Sequence, residues 1–296
     1  MSKSFEQLGC SKINIGLAIT GKREDGYHDI DSIFQSIRLS DSIYFAKHHS
    51  VVFSGGAPEL PEYMQKLVTY GEENLALKAL RAVQEYTGCK AGAAIHLLKR
   101  VPIQAGLGGG SADAAAMLVG LNRFWDLRLT QEELLQIGAT LGSDVPFLLQ
   151  GGTARGTGRG EILTELPEAP ELLLVLAKPK LEVATGWVYG NFRQQKVNQR
   201  PDIDGIIKAL EQSATGLLLE SCGNVLESVT IPAHPVMAEI KQKMLAAGAT
   251  CALMSGSGPT VFAVAEKKEI TERILTELSE LDLETAVTTT VQKERI

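Results

Sequence analysis

Between residues 12 and 19 the chain alternates in apolar and polar character. Ile13, Ile15, Leu17 and Ile19 fall on one face, and Lys12, Asn14, Gly16 and Ala18 on the other. This predicts a strand buried on its apolar side, with Lys12 and Asn14 together on a face that pattern alone would leave solvated. Residues 21–27 form a polar turn around the turn dipeptide Asp25-Gly26. Two short strands are expected over residues 33–39 and 42–46. Asn74 as N-cap and Gly88 at C′ bracket a helix, and residues 94–99 read as a strand. Thr130 and Glu133 make a capping-box pattern for a helix to about Leu141. Asp144 then stands in a short connector between Gly142 and Pro146.

Beyond residue 160 the same vocabulary returns. Residues 172–177 form an apolar strand, and Pro235 opens a helix that Gly248 ends. Residues 251–254 and 260–265 read as strands pinched by a glycine-rich turn, and residues 286–291 as a last edge strand. Residues 190–205 are polar and expected to form a mobile loop. Residues 154–160 contain Gly156, Gly158 and Gly160 and nothing apolar larger than alanine. They mark either a boundary between two lobes or a hairpin tip. Strands and helices mix without regular βαβ alternation, which predicts an α+β architecture.

The strongest local signal is the run Pro-Ile-Gln-Ala-Gly-Leu-Gly-Gly-Gly-Ser-Ala-Asp from Pro102 to Asp113. Glycines let a backbone approach a bulky anion closely. A helix starting behind them adds unpaired N–H groups and a positive dipole end. Ser111 is the expected N-cap, with helix-forming residues 112–118 behind it, so the segment reads as a phosphate cradle. The alternative is a flexible surface loop. The dinucleotide fingerprint fails at Ser111, and a near match to the Walker pattern over residues 16–22 fails at Arg23.

Composition narrows the class. Hydrophobic residues make up 44% and charged residues 22% of 296, ordinary for a globular enzyme with one large core or two fused lobes. The net charge of −6 argues against a nucleic-acid partner. No run of about 18 apolar residues predicts a membrane span, and residues 1–9 lack the regions of a signal peptide. Cys10, Cys89, Cys222 and Cys251 show no C-x-x-C spacing. Neither a protein metal site nor a disulfide framework is expected, and reduced thiols in a cytoplasm are the simplest reading. His48, His49, His96 and His234 match no motif, and the oligomeric state is not legible.

The loop from Pro102 to Ala112 resembles the nucleotide loop P-x-x-x-G-L-G-[SG]-[SG]-[SA] of the GHMP kinases, which phosphorylate small alcohols such as galactose, homoserine and mevalonate. Met254-Ser255-Gly256-Ser257-Gly258-Pro259-Thr260 resembles that family's glycine-rich turn near the C-terminus. Five further stretches resemble, in order, the branch acting on a cytidine diphosphate sugar alcohol. They are Lys12-Ile13-Asn14, residues 21–28, residues 141–147, Gly158-Arg159-Gly160-Glu161 and Asn224-Val225-Leu226-Glu227. The chain departs at Ser11, where Ala is expected, and at Ala112, where Ser is common.

The resemblance implies a two-lobed, GHMP-kinase-like α+β fold with the active site in the cleft between lobes. Residues 1–155 would be the nucleotide-binding lobe and residues 156–296 a ferredoxin-like lobe. The implied reaction is ATP-dependent phosphorylation of the sugar alcohol's 2-hydroxyl, in non-mevalonate isoprenoid synthesis, with Mg²⁺. Lys12 and Asp144 fall on the catalytic positions. Asp144 would accept the hydroxyl proton, and Lys12 would keep it ionised and face the developing charge. Pro102, Ile103, Gln104, Ala105, Gly106, Leu107, Gly108, Gly109, Gly110, Ser111 and Ala112 would hold the nucleotide. Tyr27 would stack on the cytosine, His28 would read its edge, and Asn14 and Thr185 would face the substrate. Trp187 and Tyr189 both stand as the second ring. Without the resemblance, Asp144 reads as a connector cap bonded to backbone, and Tyr27 and His28 as surface residues. Two other functions stay open. One is a kinase of another small alcohol, against which Gly26-Tyr27-His28 argues. The other is a non-catalytic nucleotide sensor, which has no need for Lys12, Asp144 and the loop together.

Overall fold

A computed structural model describes residues 4–293. Of residues 1–9, scanned above for a targeting signal, 1–3 lie outside it, as do the last three of the C-terminal half. The alternation around Lys12 belongs to a strand far longer than its apolar run. β1 spans Phe5–Lys22 and pairs antiparallel with β2, His28–Ala46, across the polar turn at Asp25-Gly26. The two short strands expected near residues 33–39 and 42–46 are thus one. The polar break at Ser40-Asp41 does not end it, because Asp41 is buried and its carboxylate accepts the Arg100 and Val101 N–H groups.

The remaining elements in chain order are β3 (Val51–Gly56), α1 (Glu62–Gln65), α2 (Leu75–Thr87), β4 (Ala93–Leu98), α3 (Gly109–Phe124), α4 (Gln131–Leu141) and α5 (Val145–Gln150). The hairpin β5 (Thr153–Gly158) and β6 (Ile162–Glu165) follows. Next come β7 (Leu173–Pro179), α6 (Thr185–Asn191), α7 (Ile203–Glu211), α8 (Thr215–Ser221) and β8 (Gly223–Asn224). The chain ends with α9 (Glu227–Ala233), α10 (Val236–Ala246), β9 (Cys251–Met254), β10 (Val261–Ala265), α11 (Lys268–Leu278) and β11 (Leu283–Thr289). The expected caps of α2 and the capping box of α4 are present. β3, α1, α5, helices α6 to α9 and α11 were not anticipated, and the polar stretch expected as a loop over residues 190–205 gives its ends to α6 and α7. The glycine-rich stretch over residues 154–160 is the hairpin strand β5 and its turn.

One sheet runs β3-β4-β2-β1-β8, with β5 attached to β2 and β6 to β5, and the other runs β11-β7-β10-β9. The second follows the β-α-β-β-α-β order, its helices interposed between β7 and β9 and between β10 and β11. Helices α2, α3 and α4 cover the first sheet with a core including Phe45, Leu80, Ile95 and Met117. A second cluster joins Ile13 and Ile33 to Leu176, Phe262 and Ile206 of the C-terminal half. β1 is therefore buried on both faces. A Cβ on Gly16 would come within 2.7 Å of Ile206, so α7 lies directly over that glycine. The edge that pattern left solvated is closed: Lys12 is 5% and Asn14 1% exposed. No helix among the described residues is long and apolar enough to cross a membrane, and the cysteines form no disulfide there.

A buried charge cluster ties β4 to the start of α3. The Lys99 ammonium pairs with Asp41 and, at 2.7 Å, with Asp113, all three nearly solvent-free. Burial would lower the Lys99 pKa, but the two carboxylates beside it raise it, so the ammonium stays charged. One cation cannot satisfy both acids. Burial pushes the Asp113 carboxyl well above the usual carboxylate range, with Lys99 opposing and Asp41 adding to the rise. Its Oδ1 has no partner.

Replacing Lys99 by Met strands two buried acids and is expected to cost about 3–5 kcal/mol in denaturant unfolding. A carboxyl whose folded pKa is raised binds its proton more tightly in the fold. Its stabilisation is full at low pH and declines as pH rises from the ordinary carboxylate range to the raised value. Asp113→Asn mimics the protonated form. The mutant Tm should fall less than wild type between pH 4 and 8, and equal slopes would exclude a protonated Asp113.

Candidate functional site

Lys12 leaves β1 beside the bulges at Cys10/Lys12 and Asn14/Gly16. Its Nζ donates to Asn14 Oδ1 at 2.9 Å, stands 3.6 Å from Asp144 Oδ2, and lies 5.5 Å from the centre of the Phe34 ring. Asn14 Nδ2 donates to Ser32 Oγ, whose hydroxyl donates to the Gly16 carbonyl. The amide is thus engaged at both ends within the protein. Asp144 precedes α5 but makes no side-chain capping bond, so its carboxylate is not spent on the backbone. A third of that side chain is exposed, while Lys12 is almost wholly covered. The pair combines a fixed cation with an acid that reaches the cleft.

The glycine loop lies against this pair. The Lys12 N–H donates to the Leu107 carbonyl, and a Cβ on Gly108 would stand 3.3 Å from the Lys12 stem. α3 begins at Gly109, three residues earlier than expected, with Gly108 in the left-handed region at φ 71° as its cap. Ser111 is therefore inside the first turn, and its Oγ would be 3.8 Å from a Cβ on Gly142. The Ala112 N–H is the first donor to close the helix, onto Gly108. The amides ahead of it have no intrahelical acceptor. They point where the helix dipole is positive, which suits a polyphosphate.

The C-terminal glycine-rich turn closes the other side. Ser255 Oγ donates to the Gly106 carbonyl at 2.9 Å, and the Thr260 N–H donates to Ala105. Gly106 has φ 74°, and a Cβ there would collide with the Ser255 carbonyl oxygen. A Cβ on Gly256 would stand 3.6 Å from Lys12 Nζ. Thr185 opens α6, and its hydroxyl is 3.0 Å from Ser257 Oγ of the same turn.

A ring cluster adjoins the Lys12–Asp144 pair. Tyr27 is 58% exposed, with the Arg159 guanidinium 5.1 Å above its ring. Its N–H donates to Asp25 and, with Arg23 beside it, holds that carboxyl below the usual range. His28 lies 5.7 Å from the Tyr189 ring and 6.5 Å from Phe192. Burial lowers the His28 pKa and Lys22 adds to this, so the imidazole is neutral at neutral pH. Its buried Nδ1 has no protein partner. Burial, with Asp144 nearby, pushes the Tyr189 phenol far up. Trp187 is exposed and faces His234 instead. Of the two rings left open by the sequence, Tyr189 is the one beside His28. Phe192, Arg159 and Ser257, which contact His28, Tyr27 and Thr185, were not singled out from the sequence as individual candidates. A GRGE or GSG string marked the last two, but nothing local marked Phe192.

Residues 74–152 match the model of the GHMP kinases N terminal domain, and residues 199–281 that of the GHMP kinases C terminal domain. Curated relatives from Acetivibrio thermocellus and Exiguobacterium sibiricum, both named 4-diphosphocytidyl-2-C-methyl-D-erythritol kinase, are 41% and 44% identical. The first alignment covers 88% of this chain and 89% of the relative, the second 89% and 90%. A crystal structure of 4-(cytidine 5'-diphospho)-2C-methyl-D-erythritol kinase is 32% identical with a TM-score of 0.81, covering 97% of this chain and 99% of the other. A homoserine kinase from Cytophaga hutchinsonii, 17% identical with a TM-score of 0.73 over 100% and 96% of the chains, shares the fold. Lys12, Asp144 and both glycine-rich turns lie side by side, and the chain belongs to the 4-diphosphocytidyl-2-C-methyl-D-erythritol kinases of the GHMP kinase family.

Proposed function

We propose that this chain transfers the γ-phosphoryl group of ATP to the 2-hydroxyl of 4-diphosphocytidyl-2-C-methyl-D-erythritol, in non-mevalonate isoprenoid synthesis. The observation that carries this is the Lys12–Asp144 pair, beside the glycine loop and near Tyr189, whose ring adjoins His28. The substrate hydroxyl would donate to Asp144. As its oxygen bonds to the γ-phosphorus and the bond to ADP breaks, the proton passes to the carboxylate. A loose transition state releases that proton late, so an ordinary carboxylate suffices. Lys12, held by Asn14, presents its charge to the incoming oxygen without having to reorganise. Asn14 is proposed to act on substrate chiefly through this lysine, and Thr185 with Ser257 to line the substrate's path.

Residues 102–112 would hold the nucleotide through backbone N–H groups. The Ser111 hydroxyl, facing Gly142 at the start of α3, suits Mg²⁺, which prefers oxygen ligands and takes several from the nucleotide itself. The metal would neutralise phosphate charge when bound. Tyr27 and Tyr189 offer faces to a pyrimidine, and the unpartnered His28 Nδ1 offers an edge contact. The expected division at residues 155/156 falls inside β5, which pairs with β2 through Gly158. We therefore propose that the first lobe runs on through the β5–β6 hairpin and the second begins before β7, and we propose a cytoplasmic location. ATP and the sugar alcohol are taken as partners, with no role for nucleic acid or membrane.

ADP release should be seen with ATP, Mg²⁺ and the cytidine compound, and not with homoserine, mevalonate or galactose. Turnover of another alcohol would refute the cytidine assignment, and nucleotide binding with no turnover of any would favour a sensor. Asp144→Asn should lower kcat about 10²–10⁴-fold, the usual worth of a positioned base. Gly106→Ala forces a side chain into the left-handed region, at about 1–2 kcal/mol, and against the Ser255 carbonyl. It should lower Tm and raise the KM for ATP at least tenfold (about 1.4 kcal/mol), read by thermal shift and steady-state kinetics.

A further inference from the structure

The stretch Asn224-Val225-Leu226-Glu227 takes no part in the transfer chemistry itself, yet it grips the turn that borders Lys12, Asn14, the glycine loop and Thr185. Asn224 Nδ2 donates to the carbonyls of Met254 at 2.8 Å and Gly256 at 2.7 Å, and its Oδ1 accepts the Leu226 N–H. Glu227 accepts the Met254 N–H at 2.8 Å with one oxygen and Lys241 Nζ at 2.6 Å with the other. Thr230 donates to the Ser257 carbonyl. Three side chains of one segment thus fix the backbone from Met254 to Ser257.

The same segment is fixed to the catalytic strand. Gly223 and Asn224 pair in parallel with Gly16 and Leu17 of β1, and the Val225 N–H donates to the Leu17 carbonyl. β1 therefore carries Lys12 and Asn14 at one point and Asn224 a few residues further along its neighbour. The turn held by Asn224 returns Gly256 to Lys12 and Asn14, Ser255 to the glycine loop, and Ser257 to Thr185.

We propose that Asn224 and Glu227 are positioning residues for phosphoryl transfer, setting the gap between Lys12 and the glycine loop through the Met254–Ser257 backbone. This rests on the kinase reading of the same site. Only an amide serves at position 224, because both carbonyls need a donor and Leu226 needs an acceptor. Asp there would face two carbonyl oxygens with a third.

The test is steady-state kinetics of the purified full chain, with Tm recorded for each variant. Wild-type turnover is measured first, and its absence would defeat the kinase reading rather than this one. Asn224→Asp should reduce kcat about 10²-fold, the scale of a misplacement near 1 Å, while the KM for the cytidine substrate changes less than threefold. Glu227→Ala should reduce kcat in the same way, and Glu227→Gln, which keeps an acceptor for the Met254 N–H, should recover at least tenfold of that loss. Wild-type kcat in a folded Asn224→Asp enzyme would overturn the proposal. If that variant fails to fold, Glu227→Ala and Glu227→Gln decide. Equal kcat in these two, or losses matched by KM, would leave only a structural role and overturn it as well.

Discussion

Two glycine-rich turns from opposite halves of the chain meet backbone to backbone at Gly106 and Ser255, and the site depends on that approach. No side chain larger than hydrogen fits at Gly106, whose positive φ also excludes most residues without strain. Because the turns touch, the N-terminus of α3, the Lys12 ammonium and the C-terminal turn face one cleft. Everything else that positions the site serves to hold this contact.

β1 supplies the frame. It pairs with β2 over nearly its whole length and with β8 at Gly16 and Leu17, so it belongs at once to the large sheet and to the C-terminal half. Both of its faces are covered, and this keeps Lys12 away from water. A buried lysine needs a partner and a fixed path. Asn14 supplies the first and the bulged register the second, leaving the Asp144 carboxylate open toward the cleft.

The buried trio of Lys99, Asp41 and Asp113 anchors the same region from behind. It joins β2, β4 and the first turn of α3, immediately beneath the glycine loop. A cluster with two acids and one base carries its own mismatch, and burial pushes the Asp113 carboxyl well above the usual carboxylate range. Such groups are costly to leave unpaired, so they specify how α3 meets the sheet more than they stabilise it.

The sequence alone determined the local devices. The capping box at Thr130 and Glu133, the Asn74 and Gly88 caps of α2, the turn at Asp25-Gly26 and the glycine loop all act within a few residues. Their chemistry is therefore written in short strings. The pairing of Lys12 with Asp144 was legible only through resemblance, because strict alternation placed Lys12 on a solvated edge. Tertiary structure decided its burial: the glycine loop at Leu107 and Gly108 and the distant turn at Gly256 pack against Lys12. It also set Tyr189 and Phe192, rather than Trp187, beside His28, and turned Asn224 and Glu227 into holders of the second turn. Contacts between residues distant in the chain depend on how whole sheets and helices pack, and no periodicity in a local window encodes that distance.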